Sequence, residues 1–235
     1  MAIIEAIELG KDYISDAGKV GALAGVSVAV DEGELVAVMG PSGSGKSTLL
    51  SILGGLNPPS RGRVLVDGLD VYSLSLERRA DFRHEYIGFV FQQLQLVSYL
   101  TALENVMLPL AISKLPGAER RRRAADALAR VGLADKADRL PGALSGGEQG
   151  RVAVARAIVN HPPVVLADEP TGSLDSETGR QVMRLLRSLG DDGLAVVLVT
   201  HNEENAVFAD RVIRMRDGRL AGQEVVVRAG SAALR

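Results

Sequence analysis

Gly40-Pro41-Ser42-Gly43-Ser44-Gly45-Lys46-Ser47-Thr48 follows the apolar run Leu35–Met39 and opens a helix-forming stretch, Lys46–Leu53. A strand, a glycine-rich turn and a helix, in that order, form the context in which this pattern holds phosphate. The glycines let the backbone wrap so that amide N–H groups face an anion, and the helix start adds positive potential. Lys46 is then placed to reach the β and γ oxygens of a nucleotide, Ser47 to offer a magnesium ligand and Thr48 to back the loop. Ser42, Gly43, Ser44 and Gly45 supply the cradle. A strand–helix turn without a ligand is the competing reading, and the strand and helix on either side weigh against it.

Outward from this loop, short apolar runs recur at 87–91, 164–167 and 194–200, each flanked by glycine, proline or charge. They read as buried parallel strands. Helix-forming stretches at 118–131, 148–159 and 177–189 lie between or after them, which predicts an α/β fold with a mainly parallel sheet. Residues 64–71 carry Asp67-Gly68 between apolar neighbours, a hairpin signal, and the start of the chain is strand-like. A small antiparallel sheet is therefore expected beside the core. From Gln92 to about Gly147 strand signals vanish, and Pro109, Pro116 and Pro141 punctuate helix formers. This predicts one domain, with a core of about 1–91 and 160–227, an inserted helical subdomain of about 92–159 and a loose tail at 228–235.

Asp168 and Glu169 end the run at 164–167, on a strand expected to emerge beside the phosphate loop. Because adjacent strand residues point oppositely, Asp168 is expected to face magnesium, through a water, and Glu169 a different point, where it polarises water for attack on a γ-phosphate. Ser145-Gly146-Gly147 before 148–159 supplies a second helix start suited to an anion, with Ser145 as N-cap. Taken alone, such a stretch before a helix is usually just a cap and turn.

Composition bounds the rest. Over 235 residues, 46% are hydrophobic and 24% charged, as in an ordinary globule. Lys+Arg 27 against Asp+Glu 29 leaves a net charge of −2, which disfavours a nucleic-acid partner. The absence of cysteine excludes a disulfide framework and a thiolate metal site, and suits a reducing compartment. Glu5 and Glu8 interrupt the N-terminal apolar residues, and no apolar run approaches the ~18 needed to span a bilayer. Any membrane role is expected to need a separate chain.

With these motifs assembled, the chain resembles the ATP-binding subunit of an ATP-binding-cassette (ABC) transporter over nearly its whole length: Ser145-Gly146-Gly147 matches that family's signature, in the family's order after the phosphate loop. The resemblance implies a P-loop NTPase, RecA-like core and a homodimer in the ATP-bound state, with the signature of one copy capping the γ-phosphate held by the other. It further implies ATP and Mg2+ as ligands, with Ser47, Gln92 and Asp168 toward the metal. Glu169, His201 and Gln92 are implied in hydrolysis, and Asp175 in the loop that crosses to the opposite copy. Gln92 is chosen over Gln93 and Gln95, and His201 over His84 and His161, which read as surface or packing residues. Tyr13 matches the aromatic that stacks on adenine, against the alternative of an ordinary sheet-surface tyrosine. Glu148 and Gly150 depart from the commonest signature, and Gly150 is expected to loosen its helix locally.

More narrowly, Phe89-Val90-Phe91-Gln92, Thr101-Ala102-Leu103-Glu104-Asn105-Val106 and Ala167-Asp168-Glu169-Pro170-Thr171-Gly172 are similar to the branch that exports macrolides or antimicrobial peptides or releases lipoproteins. Members of that branch pair with integral membrane permease subunits bearing an extracytoplasmic domain, which implies a cytoplasmic protein held peripherally on the inner face of the membrane. A nucleotide-gated regulator of a membrane assembly, as in cell division, is the alternative. The run Arg120-Arg121-Arg122-Arg123 reads first as a solvated helix face.

Overall fold

The computed structural model describes residues 1–15 and 18–226; the tail expected at 228–235 lies outside the described residues. From the N-terminus the chain forms β1 (Ala2–Ser15), β2 (Gly18–Asp31), β3 (Leu35–Met39), α1 (Lys46–Leu53), β4 (Arg61–Val66), β5 (Leu69–Asp70), α2 (Leu76–Tyr86) and β6 (Ile87–Val90). It continues through α3 (Ala102–Met107), α4 (Gly117–Arg130), α5 (Gly146–Ile158), β7 (Val164–Asp168), α6 (Ser176–Asp191), β8 (Ala195–Val199), α7 (Glu203–Ala206), β9 (Arg211–Arg216) and β10 (Arg219–Val225). A six-stranded sheet has the order β10-β9-β3-β8-β7-β6, parallel throughout except for β10 at its edge. A four-stranded antiparallel sheet, β2-β1-β4-β5, lies apart from it.

The parallel strands are buried on both faces, and alternation sends their side chains to two separate cores. Leu35, Ala37 and Met39 of β3 face one, with Val165, Ala167, Val196 and Leu198 of the neighbouring strands and with α3, α4, α5 and α6. Val36 and Val38 face the other, with Val164, Leu166, Val197 and Val199, and there α1, Phe82 of α2 and the antiparallel sheet close the layer. The six-stranded sheet is thus the shared wall of two cores, and the carboxyl ends of β3, β7 and β8 emerge together.

The expected hairpin is present but shorter. β4 ends at Val66, Asp67 and Gly68 turn with positive φ at both positions, and Val71 already belongs to a buried 3-10 turn. An identical dipeptide, Asp217-Gly218, turns β9 into β10 in the same way. The strand expected at 87–91 stops at Val90, and the one at 194–200 narrows to Ala195–Val199. Between Val90 and Val164 the described residues contain only helices, 3-10 turns and loops. Asn105, wholly buried in α3, organises the loop leading into that region: its amide donates to the carbonyls of Val97, Leu100 and Thr101 and accepts the Val97 N–H.

The arginine run sits on α4 in ion pairs. Arg122 meets Glu119 at 2.8 Å and Asp126 at 2.9 Å, and Arg123 meets Glu119 at 3.0 Å. Arg121 and Arg122 are exposed, as on a solvated face, whereas Arg120 is half-buried with its Nε covered and without a hydrogen-bond partner among the described residues; Arg122 and Arg123 together hold the Glu119 carboxyl down at about 2.

Candidate functional site

The phosphate loop joins β3 to α1 through glycines that no other residue replaces without strain. At Gly45, where φ is +97°, a Cβ would lie 2.5 Å from the Ala22 carbonyl oxygen. Gly45 is also the N-cap of α1, and no side chain caps the amides behind it. Lys46, 8% exposed, folds over the loop and donates from Nζ to the carbonyls of Gly40 at 2.8 Å and Pro41 at 2.9 Å. The loop is supported from far along the chain: the Gly218 N–H in the β9–β10 turn donates to the Ser44 carbonyl at 3.1 Å, and the Gly218 carbonyl accepts the Ala24 N–H of β2 at 2.8 Å.

A cavity of about 580 Å³ opens over the loop. Ser42, Gly43, Gly45, Lys46, Ser47 and Thr48 line one side, and Gln92, Asp168, Glu169 and His201 the other. The Ser47 hydroxyl donates to Asp168 Oδ1 at 3.2 Å. Burial pushes the Asp168 carboxyl above its ordinary range and the neighbouring Glu169 charge adds to this, while the Ser47 hydroxyl and the Lys46 ammonium pull it down.

Strand alternation does not separate the two carboxylates as expected. β7 ends at Asp168, and Glu169 takes a left-handed backbone, φ +47°, with its N–H held by the Val199 carbonyl at 2.9 Å. That single turn of the chain brings both acids to the same cavity, at a conformational cost of about 1–3 kcal/mol. Glu169 Oε1 then lies 2.6 Å from His201 Nδ1, the carboxylate mostly covered and the imidazole open to solvent.

Of the three glutamines after β6, Gln92 alone lines this cavity, while Gln95 turns to a second one. Tyr13 lies on β1 opposite Val20, 41% exposed, under the Lys11 ammonium and beyond the residues that line this cavity. Asp175 is the exposed N-cap of α6, accepting the Thr178 N–H at 3.0 Å; the Thr178 hydroxyl and then this N–H lower its pKa. His84 packs against the Pro109 carbonyl, and His161 lies on the surface.

Ser145 caps α5 as its pattern predicts. Its hydroxyl accepts the Glu148 N–H at 3.3 Å while Glu148 accepts the Ser145 N–H at 2.8 Å, so the unusual Glu148 completes a capping box and its carboxyl falls below the ordinary range. The helix starts at Gly146, two residues earlier than its apolar pattern suggests. Gly147 is buried, and any Cβ there would overlap the Thr178 methyl of α6. Gly150, expected to loosen α5, is instead a second close approach, to Val182 at 3.2 Å, inside a continuous helix.

A family described as ABC transporter matches residues 23–172, a span holding the phosphate loop, the Ser145 helix start and the acidic pair. The chain belongs to the ABC transporter family. It is 49% identical over 222 residues to an ABC transporter ATP-binding protein of Thermotoga maritima, covering 94% of this chain and 95% of that one. To the lipoprotein-releasing system ATP-binding protein LolD of Syntrophotalea carbinolica it is 47% identical, over 94% of this chain and 98% of that one. The macrolide export ATP-binding/permease protein MacB of Vibrio parahaemolyticus is 43% identical over 93% of this chain but only 33% of its own length. Among solved structures, a dimeric ATP-binding cassette of Methanocaldococcus jannaschii, described in a post-hydrolysis state bound to ADP and Pi, superimposes with a TM-score of 0.86 at 43% identity, over 95% of this chain and 99% of that one.

As an ABC transporter ATPase, the chain takes ATP and Mg2+. The donors present fit that ion: a hydroxyl and a carboxylate oxygen at Ser47 and Asp168 are hard ligands, with the Gln92 amide lining the same cavity. No group of three or more His, Asp or Glu able to hold a metal occurs among the described residues, so the ion requires nucleotide phosphates and water to complete its shell.

Two features of the site have weak signals in the sequence. The Gly218 contact is announced only by Asp217-Gly218, the same turn signal as Asp67-Gly68. The second is a buried polar link behind the cavity: the Asn205 amide of α7 donates to Thr171 Oγ1 at 2.8 Å and to Thr200 Oγ1 at 3.3 Å.

Proposed function

We propose that two copies of this ATPase close head to tail around two ATP, and that the closure and its release by hydrolysis drive a membrane permease. The observation that carries this reading is the exposed start of α5: Ser145 and Gly146 lie open to solvent beside the capping box, so a positive helix end remains on the surface for an anion brought by another molecule. A second copy bringing its γ-phosphate to Ser145, Gly146 and Gly147 completes both sites at once, with Asp175 at the crossing, and two-fold symmetry makes the arrangement self-consistent.

In this reading the loop amides and Lys46 hold the β and γ oxygens. Ser47, Asp168 and Gln92 would hold the Mg2+, which would supply charge neutralisation for the phosphates. Glu169 orients the attacking water and accepts its proton, and His201, held to Glu169, contacts the γ-phosphate. Tyr13 flanks the base from β1.

The permease belongs to the reading because the MacB relatives, named ATP-binding/permease proteins, match this chain over about a third of their length. We take the partner to carry an extracytoplasmic domain, with this chain on the cytoplasmic face. A second cavity, of about 320 Å³, offers it a surface: Phe91 and Leu108 are apolar, and Arg156 donates to the carbonyls of Leu94 and Gln95 with no carboxylate within 4 Å among the described residues. Those carbonyls belong to the loop that begins at Gln92, so a load on this surface reaches the nucleotide cavity.

Sedimentation of the Glu169→Gln protein tests the closure. ATP is expected to convert monomer to dimer and ADP is not, because ADP leaves both helix starts without the γ-phosphate charge. Equal distributions with the two nucleotides, or an ATP-induced dimer that survives Ser145→Arg, overturn the reading.

A further inference from the structure

We propose that Asn205 is a positioning residue for ATP hydrolysis: its buried amide ties the loop that carries Glu169 to the loop that carries His201. The inference rests on the reading above that these two residues act in hydrolysis.

Glu169 and His201 sit at the ends of adjacent parallel strands, β7 and β8, and their own 2.6 Å contact is exposed on the histidine side, where the imidazole side chain is 70% accessible. A contact so open to water holds little by itself. A second connection between the two loops is better covered, although its Thr171 end is half-buried. Asn205 is 5% exposed, and Thr200, which directly precedes His201, is wholly buried. The same Thr200 hydroxyl oxygen also accepts the Asn202 N–H at 3.1 Å. On the other side Thr171, two residues after Glu169, presents its hydroxyl to Asn205, while its Cβ and methyl group pack toward Gly179 of α6.

The chemistry of an amide suits this place. Two N–H bonds diverging from one planar nitrogen reach two hydroxyl oxygens on different loops, a geometry that no apolar side chain of that size can replace. Removing the amide leaves the half-buried Thr171 hydroxyl without this donor and the Thr200 hydroxyl with the Asn202 N–H alone, and the loops lose the link that fixes their separation. Asn205 does not line the nucleotide cavity, so the loss should fall on the relative placement of carboxylate and imidazole rather than on ATP binding. Misplacement by about 1 Å is enough to cost on the order of 100-fold in rate.

The test compares kcat, ATP affinity and Tm of the full chain for Asn205→Leu, Thr171→Val, Thr171→Ser and the Asn205→Leu/Thr171→Val pair. Thr171→Val keeps the methyl packing against Gly179 and removes only the hydroxyl. Expected are a kcat lower by about 10-fold or more for Asn205→Leu and Thr171→Val with ATP affinity within about twofold, near-full kcat for Thr171→Ser, and a double variant no slower than the slower single one. An unchanged kcat in Asn205→Leu overturns the proposal, as does a loss that appears equally in Tm and affinity and that Thr171→Ser does not restore. If Asn205→Leu fails to fold, the contrast between Thr171→Val and Thr171→Ser decides alone. Turnover retained by Glu169→Gln would instead remove the reading on which the proposal stands.

Discussion

Helix α1 begins at left-handed Gly45 with no side chain over its amides and no acid in its first turn; α5 begins at Ser145 with a complete capping box and the Glu148 carboxylate beside its amides. Both are glycine-flanked helix starts with the same dipole, yet α1 adds Lys46 and faces the ends of two neighbouring strands, while α5 spends one glycine on packing against Thr178. The contrast separates a site that binds by itself from one that folds by itself. An uncapped start is left for an outside anion to satisfy. A capped start is stable without one, and its remaining attraction for phosphate is weaker, which is what a surface meeting its ligand only on a second molecule requires.

Four substitutions break or sharpen this contrast. Lys46→Ala should strike the α1 site hardest, raising the nucleotide Kd about 100-fold, or about 3 kcal/mol, because the one side-chain cation on the phosphates is lost. Calorimetry checks it, and an unchanged Kd would mean the amides carry the binding alone. Gly147→Val should instead strike folding: the added side chain meets Thr178, stability falls by about 2–3 kcal/mol, and Thr178→Ala recovers part of it in thermal unfolding. Equal loss from Gly146→Val, where the residue is exposed, would deny that the packing of Gly147 is special.

Ser145→Ala should cost about 1 kcal/mol in denaturant unfolding and leave the affinity of a single chain for nucleotide untouched. A change in that affinity would place the two helix starts in one site of one chain. Glu148→Gln is the smallest: an amide oxygen accepts the same Ser145 N–H, so the Tm at neutral pH should move by less than about 2 °C. The sign of its pH dependence follows from the lowered carboxyl. Glu148 adds stability that is complete above the ordinary carboxylate pKa and is lost as pH falls through the lower folded value; the glutamine variant lacks that loss. Identical acid unfolding of the two proteins would show that the cap contributes nothing measurable.

The centre of the parallel core was legible because β3 and β8 are wholly apolar and its loops are punctuated: β3 and α1 have the bounds their pattern suggests. Helix α2 was not, since Phe82 is its one buried residue and a helix with a single anchor shows no periodic face. β2 and the β9–β10 hairpin were not read either, although Val26, Val28 and Val30 alternate in burial and Asp217-Gly218 marks the turn. In the site, the residue types at Lys46, Ser47, Asp168 and Glu169 announced themselves and both acids were expected at the nucleotide, but the backbone route that brings Glu169 there was not legible. It depends on one positive φ that the rule of strand alternation cannot foresee. The purpose of Gly147 was hidden for a different reason: its partner, Thr178, lies on another helix, and no local pattern pairs them.

A ribosome releases Ser44 long before Gly218. The phosphate loop therefore exists as a sequence while the turn that clasps it, and β2 with it, has not yet been made. At about 5–20 residues per second the interval is roughly ten seconds or more, during which the emerging chain carries every residue of the loop without its support. The last hairpin of the described chain thus completes the support of the phosphate loop, and a nascent fragment ending after α6, which lacks both this turn and the His201 side of the cavity, is expected to bind ATP less tightly than the full chain.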